Sequence, residues 1–253
     1  MPAAILARLV LLEARRGALP WLAAASIAGA LALAAFLSGV ALTESRELRI
    51  AVIAALLRAC AVFLVAAQVA ASVQREIDDR GLEQMLSLPL PRAVHYLGRL
   101  AGFAACGAVL AVLFALPLAP WTGALPLALW TASLAVECAL VAAAALFFSL
   151  SLAQLVGTMS ATLALYLLAR SISAVQAIAG GPLSEDSLPG RAARGVVDVL
   201  AFVLPRLDAA TRTEWLLYGA PPVSQYAWAL GNLIVFVALL VAAGLFDFYR
   251  RTE

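Results

Sequence analysis

The sequence predicts an all-α, polytopic membrane protein: six transmembrane helices, an amphipathic helix at the N-terminus, a helical cytoplasmic connection and a short helical extracytoplasmic loop before the last span. Three observations carry that expectation. Of 253 residues, 64% are apolar and 13% charged, whereas a water-soluble domain carries roughly 45–50% apolar and about 25% charged residues. Six apolar stretches reach the ~20 residues that cross a hydrocarbon core, at 19–42, 50–74, 97–119, 127–152, 155–178 and 223–247. The ionic residues cluster in short flanks between these stretches, so residues 1–253 read as one transmembrane domain.

The first span is longer than the ~7–15-residue apolar core of a signal peptide and five more follow, so it is expected to stay in the mature protein. Six spans place both termini on one side. With the N-terminus inside, Arg8, Arg15, Arg16, Arg75, Arg80, Arg92, Arg99, Arg250 and Arg251 are cytoplasmic. Arg46, Arg49, Arg191, Arg194, Arg206 and Arg212 are outside, four of them in the one long loop, where charge counts for less. Both termini are therefore expected in the cytoplasm. Trp121, Trp130, Trp215, Tyr218, Tyr226 and Trp228 are expected at the outer interface, and Trp21, Tyr96 and Tyr249 at the inner one.

Outside the spans, residues 3–16 place Arg8, Arg15 and Arg16 at i, i+7 and i+8, with Ile5, Leu6, Val10, Leu11 and Ala14 largely elsewhere on the wheel. This stretch is either an interfacial amphipathic helix or a polar cap on the first span. The outer loop, 179–222, opens on Gly180-Gly181-Pro182. Val196, Val199, Leu200, Val203 and Leu204 then follow helical spacing up to Pro205. Thr211 and Glu214 have capping-box spacing ahead of Trp215, so a second short helix is expected to start at Thr211, the pair lying on or dipping into the outer leaflet.

Composition excludes much chemistry. All 17 basic residues are Arg and none is Lys, so the chain lacks the Lys of a phosphate-binding P-loop, and any ATP it uses must be bound by another chain. A net charge of +2 does not describe a nucleic-acid surface. Cys60, Cys106 and Cys138 sit in apolar stretches without C-x-x-C spacing and read as small apolar side chains. The single His, His95, cannot build a metal cluster alone and reads as solvated or interfacial. A membrane-embedded enzyme would need clustered His, Asp or Ser; no H-E-x-x-H, G-x-S-x-G or paired intramembrane acids occur, so the chain is expected to be non-catalytic and without a cofactor.

The connection between spans two and three, residues 75–96, is dense in charge and then apolar, with Pro89 and Pro91 preventing one continuous helix. Glu76, Asp78, Asp79 and Glu83 form a polar rim, Gly81 frees the backbone, and Met85, Leu86 and Leu88 form an apolar knob. That pattern fits either a solvated loop or a segment docking into a groove on a soluble partner. The order Glu76, Gly81-Leu82-Glu83, Met85-Leu86, Leu88-Pro89, Arg92 and Gly98-Arg99 resembles the signature connection of type 2 ATP-binding-cassette (ABC) exporter permeases, with Arg99 where that family commonly has Lys. The run Asp78-Asp79, Leu82-Glu83-Gln84, Leu88-Pro89-Leu90-Pro91 also resembles the permeases of cytochrome c maturation, from which the long outer loop and the Arg-Arg tail set this chain apart.

The resemblance implies a non-catalytic permease subunit in the cell's inner membrane whose coupling helix seats on a separate nucleotide-binding subunit. It further implies a homodimer of permeases with two ATPases, ATP and magnesium being held by the ATPases. Glu76, Asp78, Asp79, Gly81, Glu83, Leu86, Pro89 and Arg92 are then the partner-coupling residues. It is silent on cargo. The alternative is an ABC-type subunit that passes ATP-driven motion to a periplasmic or assembly partner without moving a substrate through its spans.

Ionisable residues inside spans are costly and usually face the interior. Arg58, Glu137 and Arg170 lie roughly eight to ten residues, or ~12–15 Å, from the outer boundary of spans two, four and five, and so share a layer. They are expected to form either a structural salt bridge or a polar patch in a translocation path with one Arg left for an anionic group. Gly98 and Gly102 make a G-x-x-x-G near the inner end of span three, suited to ordinary helix packing or to a dimer seam.

Overall fold

Hydrocarbon offers no hydrogen bonds to a backbone, so a chain this apolar must satisfy its amides within each segment, and helix does so. The structure, a computed structural model, describes residues 2–40, 45–79, 91–179, 188–219 and 221–250, and every regular element among them is helical. In chain order these are α1 (Pro2–Arg16), α2 (Leu19–Val40), α3 (Ser45–Asp78), α4 (Arg92–Ala115), a 3₁₀ turn (Leu116–Leu118), α5 (Ala124–Leu152), α6 (Leu155–Ala179), α7 (Leu188–Val203), α8 (Leu207–Ala210), α9 (Glu214–Tyr218) and α10 (Val223–Arg250). Six of them, α2 to α6 and α10, are long and apolar enough to cross a membrane.

The element boundaries follow from local chemistry. Pro91 is the N-cap of α4 at φ −58°, ψ 131°, and Pro117 falls in the 3₁₀ turn that ends it. Ala153 closes α5 in the left-handed region at φ 50°, its N–H donating to the Ser149 carbonyl at 3.1 Å. The helix read from Val196 to Leu204 is α7; it starts further back, at Leu188, and stops before Pro205.

Helix α5 is the hub, packing against α3, α4, α6, α9 and α10. It can do so because small residues line it: Ala142 to Ala145 are buried in sequence, and a Cβ added at Gly107 of α4 would sit 2.6 Å from the Cβ of Cys138. Around this core the exposed faces remain apolar, as on α10 with Ile234, Val235 and Leu239, which suits lipid rather than water.

The G-x-x-x-G motif has a definite occupant. A Cβ at Gly102 would stand 2.7 Å from Val10 Cβ and 3.0 Å from the Ala7 backbone; at Gly98 it would stand 3.0 Å from Ala3 and 3.1 Å from Leu6. The two glycines therefore seat α1 against the start of α4, with Ala3, Ala7, Val10 and Ala14 along the seam. They are the floor of an intrachain contact, not a dimer seam.

Two of the aromatics expected at membrane interfaces are packed inside the bundle. Trp130 is fully buried beneath Arg58, and Tyr96 is buried against Gly244 and Phe248 of α10. In the outer segment, the apolar stripe Val196, Val199 and Val203 is exposed, while Leu207, Trp215 and Leu216 are buried among the spans. The opposite end of α3 from Asp78 is tied across the bundle, Arg46 Nη2 donating to the Trp121 carbonyl at 2.7 Å and Arg49 lying over the Trp121 ring.

Candidate functional site

The three ionisable residues of spans α3, α5 and α6 meet. Glu137 is fully buried at the middle of α5. Arg58 Nε approaches its Oε2 at 3.5 Å, and Arg170 Nη1 approaches its Oε1 at 3.2 Å. Tyr166, one turn before Arg170 on α6, donates its hydroxyl to the same Oε1 at 2.8 Å. Arg58 lies with its guanidinium over the Trp130 ring, 5.5 Å from the centroid.

Thr211 completes the layer. It is not the N-cap of the next helix: α9 starts at Glu214 with Thr213 as its N-cap and no side-chain capping bond, while Thr211 closes α8, its backbone N–H donating to the Leu207 carbonyl. Instead Thr211 is fully buried. Its carbonyl accepts from Arg58 Nη1, and its hydroxyl accepts from Arg170 Nη1 at 2.9 Å while donating to the Leu207 carbonyl at 2.8 Å. Residues 207–218 are thus tied into the bundle through Thr211. The neighbouring Ser173 hydroxyl of α6 adds a second tie by donating to Asp208 of α8.

Two guanidinium groups face one carboxylate here. Such a layer holds together because each charge is hydrogen-bonded or paired; an uncompensated ion at that depth would cost several kcal/mol. Arg58 and Glu137 are 2% and 0% exposed, whereas the Arg170 side chain is 34% exposed, so Arg170 is the edge of the layer open to its surroundings.

A second polar cluster sits at the end of the bundle that carries α1. The guanidinium of Arg99 on α4 is paired with Glu76 on α3, and it stacks over Phe103. Glu13 of α1 accepts from Arg75 at 2.8 Å and from the Ser72 hydroxyl at 3.0 Å. Glu13, Ser72, Arg75, Glu76, Arg99 and half-buried His95 line a cavity of ≈ 360 Å³ between α1, α3 and α4. Glu76 and Arg99, the first and last residues of the sequence motif, are therefore each other's partner, and they pin together the two helices that the connection joins.

Of the other residues expected to couple to a partner, Asp78 is exposed and accepts from Gln74 at 2.9 Å, Asp79 is exposed, and Arg92 opens α4. Gly81, Glu83, Leu86 and Pro89 lie outside the described residues. Among the described residues no group of three metal-ligating side chains occurs. Sequence reasoning missed Tyr166, Trp130 and Thr211. Two had a signal: Tyr166 precedes Arg170 by four residues and Trp130 precedes Glu137 by seven, each on the same helix face. Neither a protein-family model nor a curated protein matches this chain.

Proposed function

We propose that this chain is the membrane-spanning permease subunit of an ABC exporter, driven by a separate nucleotide-binding subunit docked at the α3–α4 connection. The observation that carries the reading is the ordered motif from Glu76 to Arg99: an acid, a Gly-x-Glu step, a Leu-rich knob, Leu-Pro and a basic residue opening the next span. Its support comes also from the chain's lack of Lys, which leaves ATP chemistry to a partner holding the nucleotide and its magnesium. Six membrane-length helices fit the reading, as does the Glu76 pairing with Arg99. That pair fixes to each other the two helices that the connection joins, so force applied to residues 78–92 passes to both α3 and α4. ATP-driven closure of a partner pair shifts the spans only through an element that the partner contacts differently in its two states. The exporter is two such permeases and two ATPases, with both termini on the ATPase side of the inner membrane.

The test is to look for an ATPase with a Walker A motif in the neighbouring reading frames and to co-reconstitute it with this chain. The wild-type permease is expected to bind the ATPase and alter its turnover, and Glu83→Arg to insert and fold normally while losing that response. An unchanged response in Glu83→Arg would overturn the docking assignment.

A second reading has one observation in its favour. Arg58 and Glu137 are buried inside a single chain and tie α3 to α5; such a tie suits a subunit that passes motion to an assembly partner. Cargo-stimulated ATP turnover that persists with the periplasmic partners removed favours export.

A further inference from the structure

Beside the Gly98–Gly102 seam, α1, α2 and α4 form a groove of ≈ 420 Å³ whose walls are almost wholly apolar. On α1 it is lined by Arg8, Leu11, Leu12 and Arg15, which stand at i, i+3, i+4 and i+7 and so form one helix face. Opposite them are Val109 and Leu113 of α4, both exposed on the outside of the bundle. A membrane-facing apolar slot is thus rimmed by two guanidinium groups seven residues apart.

The acid that might neutralise them points elsewhere. Glu13 is the one carboxylate of α1, and it is held by Arg75 and Ser72 on the far side of the helix. Arg8 and Arg15 are both exposed, and among the described residues neither has a carboxylate within ion-pair distance. Apolar walls match acyl chains, and two unneutralised guanidiniums match a phosphate ester, to which each can offer paired N–H donors. We propose that this groove is a seat for one anionic phospholipid of the leaflet that holds α1, its phosphodiester between Arg8 and Arg15 and an acyl chain against Val109 and Leu113. The proposal is independent of the exporter reading.

The test uses the full chain in nanodiscs of equal phosphatidylglycerol and phosphatidylcholine, with lipid retained on the released protein read by native mass spectrometry. Wild type is expected to retain one phosphatidylglycerol, and Arg8→Gln with Arg15→Gln to weaken that retention about 30-fold at an unchanged thermal midpoint. Arg16→Gln, outside the groove, is expected to retain it. Val109→Trp fills the slot with both arginines present and is expected to lose the lipid; it decides the matter if the double variant fails to fold. Equal retention of the two lipids, retention unchanged in Val109→Trp, or a loss in Arg16→Gln as large as in the double variant overturns the proposal. So does full displacement by soluble glycerol phosphate, which would make the site one for a free phosphate ester.

Discussion

Glu137 is the carboxylate on which Arg58, Arg170 and Tyr166 converge, and its removal is the most damaging single change expected in the chain. Glu137→Leu strands Arg58, which is 2% exposed, and is expected to cost about 3–5 kcal/mol. Arg170→Gln removes a side chain that is one-third exposed and is expected to cost about 1 kcal/mol or less. Thermal unfolding of the purified variants in one detergent gives the ranking; equal losses would mean that the layer is solvated. Exchanging the charges as Arg58→Glu with Glu137→Arg separates the two roles of the layer, since recovered stability with recovered ATPase coupling identifies a structural tie. Thr211→Val removes the hydroxyl that joins Arg170 to the outer segment and is expected to cost about 1–3 kcal/mol. At this scale the ions were legible because charge in a span is rare, and their depth from the boundary placed them in one layer. Thr211 was not: its spacing to Glu214 satisfies a capping box equally well, and only the fold of the outer segment decides that the hydroxyl turns inward.

Among the elements, the spans were readable because length and hydropathy act locally, and α7 was readable because Pro205 punctuates an apolar period. What the sequence left open was which helix fills the space over Gly98 and Gly102, since a G-x-x-x-G states that something approaches closely and not what does. The answer is α1, whose Ala3 and Ala7 are as small as the seam demands. Gly102→Leu would place a branched side chain where even a Cβ comes within 2.7 Å of Val10, and is expected to lift α1 off α4 while the spans stay folded. A cysteine at Ala7 reports this: half-buried against Gly102 and slow to react with maleimide in the parent, it is expected to react at least tenfold faster in the Gly102→Leu background. An unchanged rate would show that α1 is held mainly by its Glu13 contacts to Arg75 and Ser72. The same displacement would open the groove that Arg8 and Arg15 rim, so lipid retention should fall with it.

For the whole molecule, the orientation of the bundle decides which partners can reach it. The structure puts Glu13, Arg75, Glu76 and Arg99 together at one end and Arg46, Arg49 and Trp121 together at the other. ATP is cytoplasmic, so the exporter reading requires the Glu76 end to face the cytoplasm, as the arginine distribution favours. Because the chain contains no Lys, a single Arg→Lys change introduces a unique side-chain amine while keeping the charge, and the parent supplies the background. Arg212 lies in the outer segment between α8 and α9, with a side chain 46% exposed and 4.0 Å from Glu214; Arg16 is exposed at the end of α1. A membrane-impermeant amine reagent applied to intact spheroplasts is expected to label Arg212→Lys above the parent, and to label Arg16→Lys only after permeabilisation. The reverse pattern would turn the α3–α4 connection away from the nucleotide, and no ATPase could then dock at residues 76–92. The buried Arg58–Glu137–Arg170 tie and the seating of α1 would stand unchanged, because both are properties of the packed chain and neither depends on which side it faces.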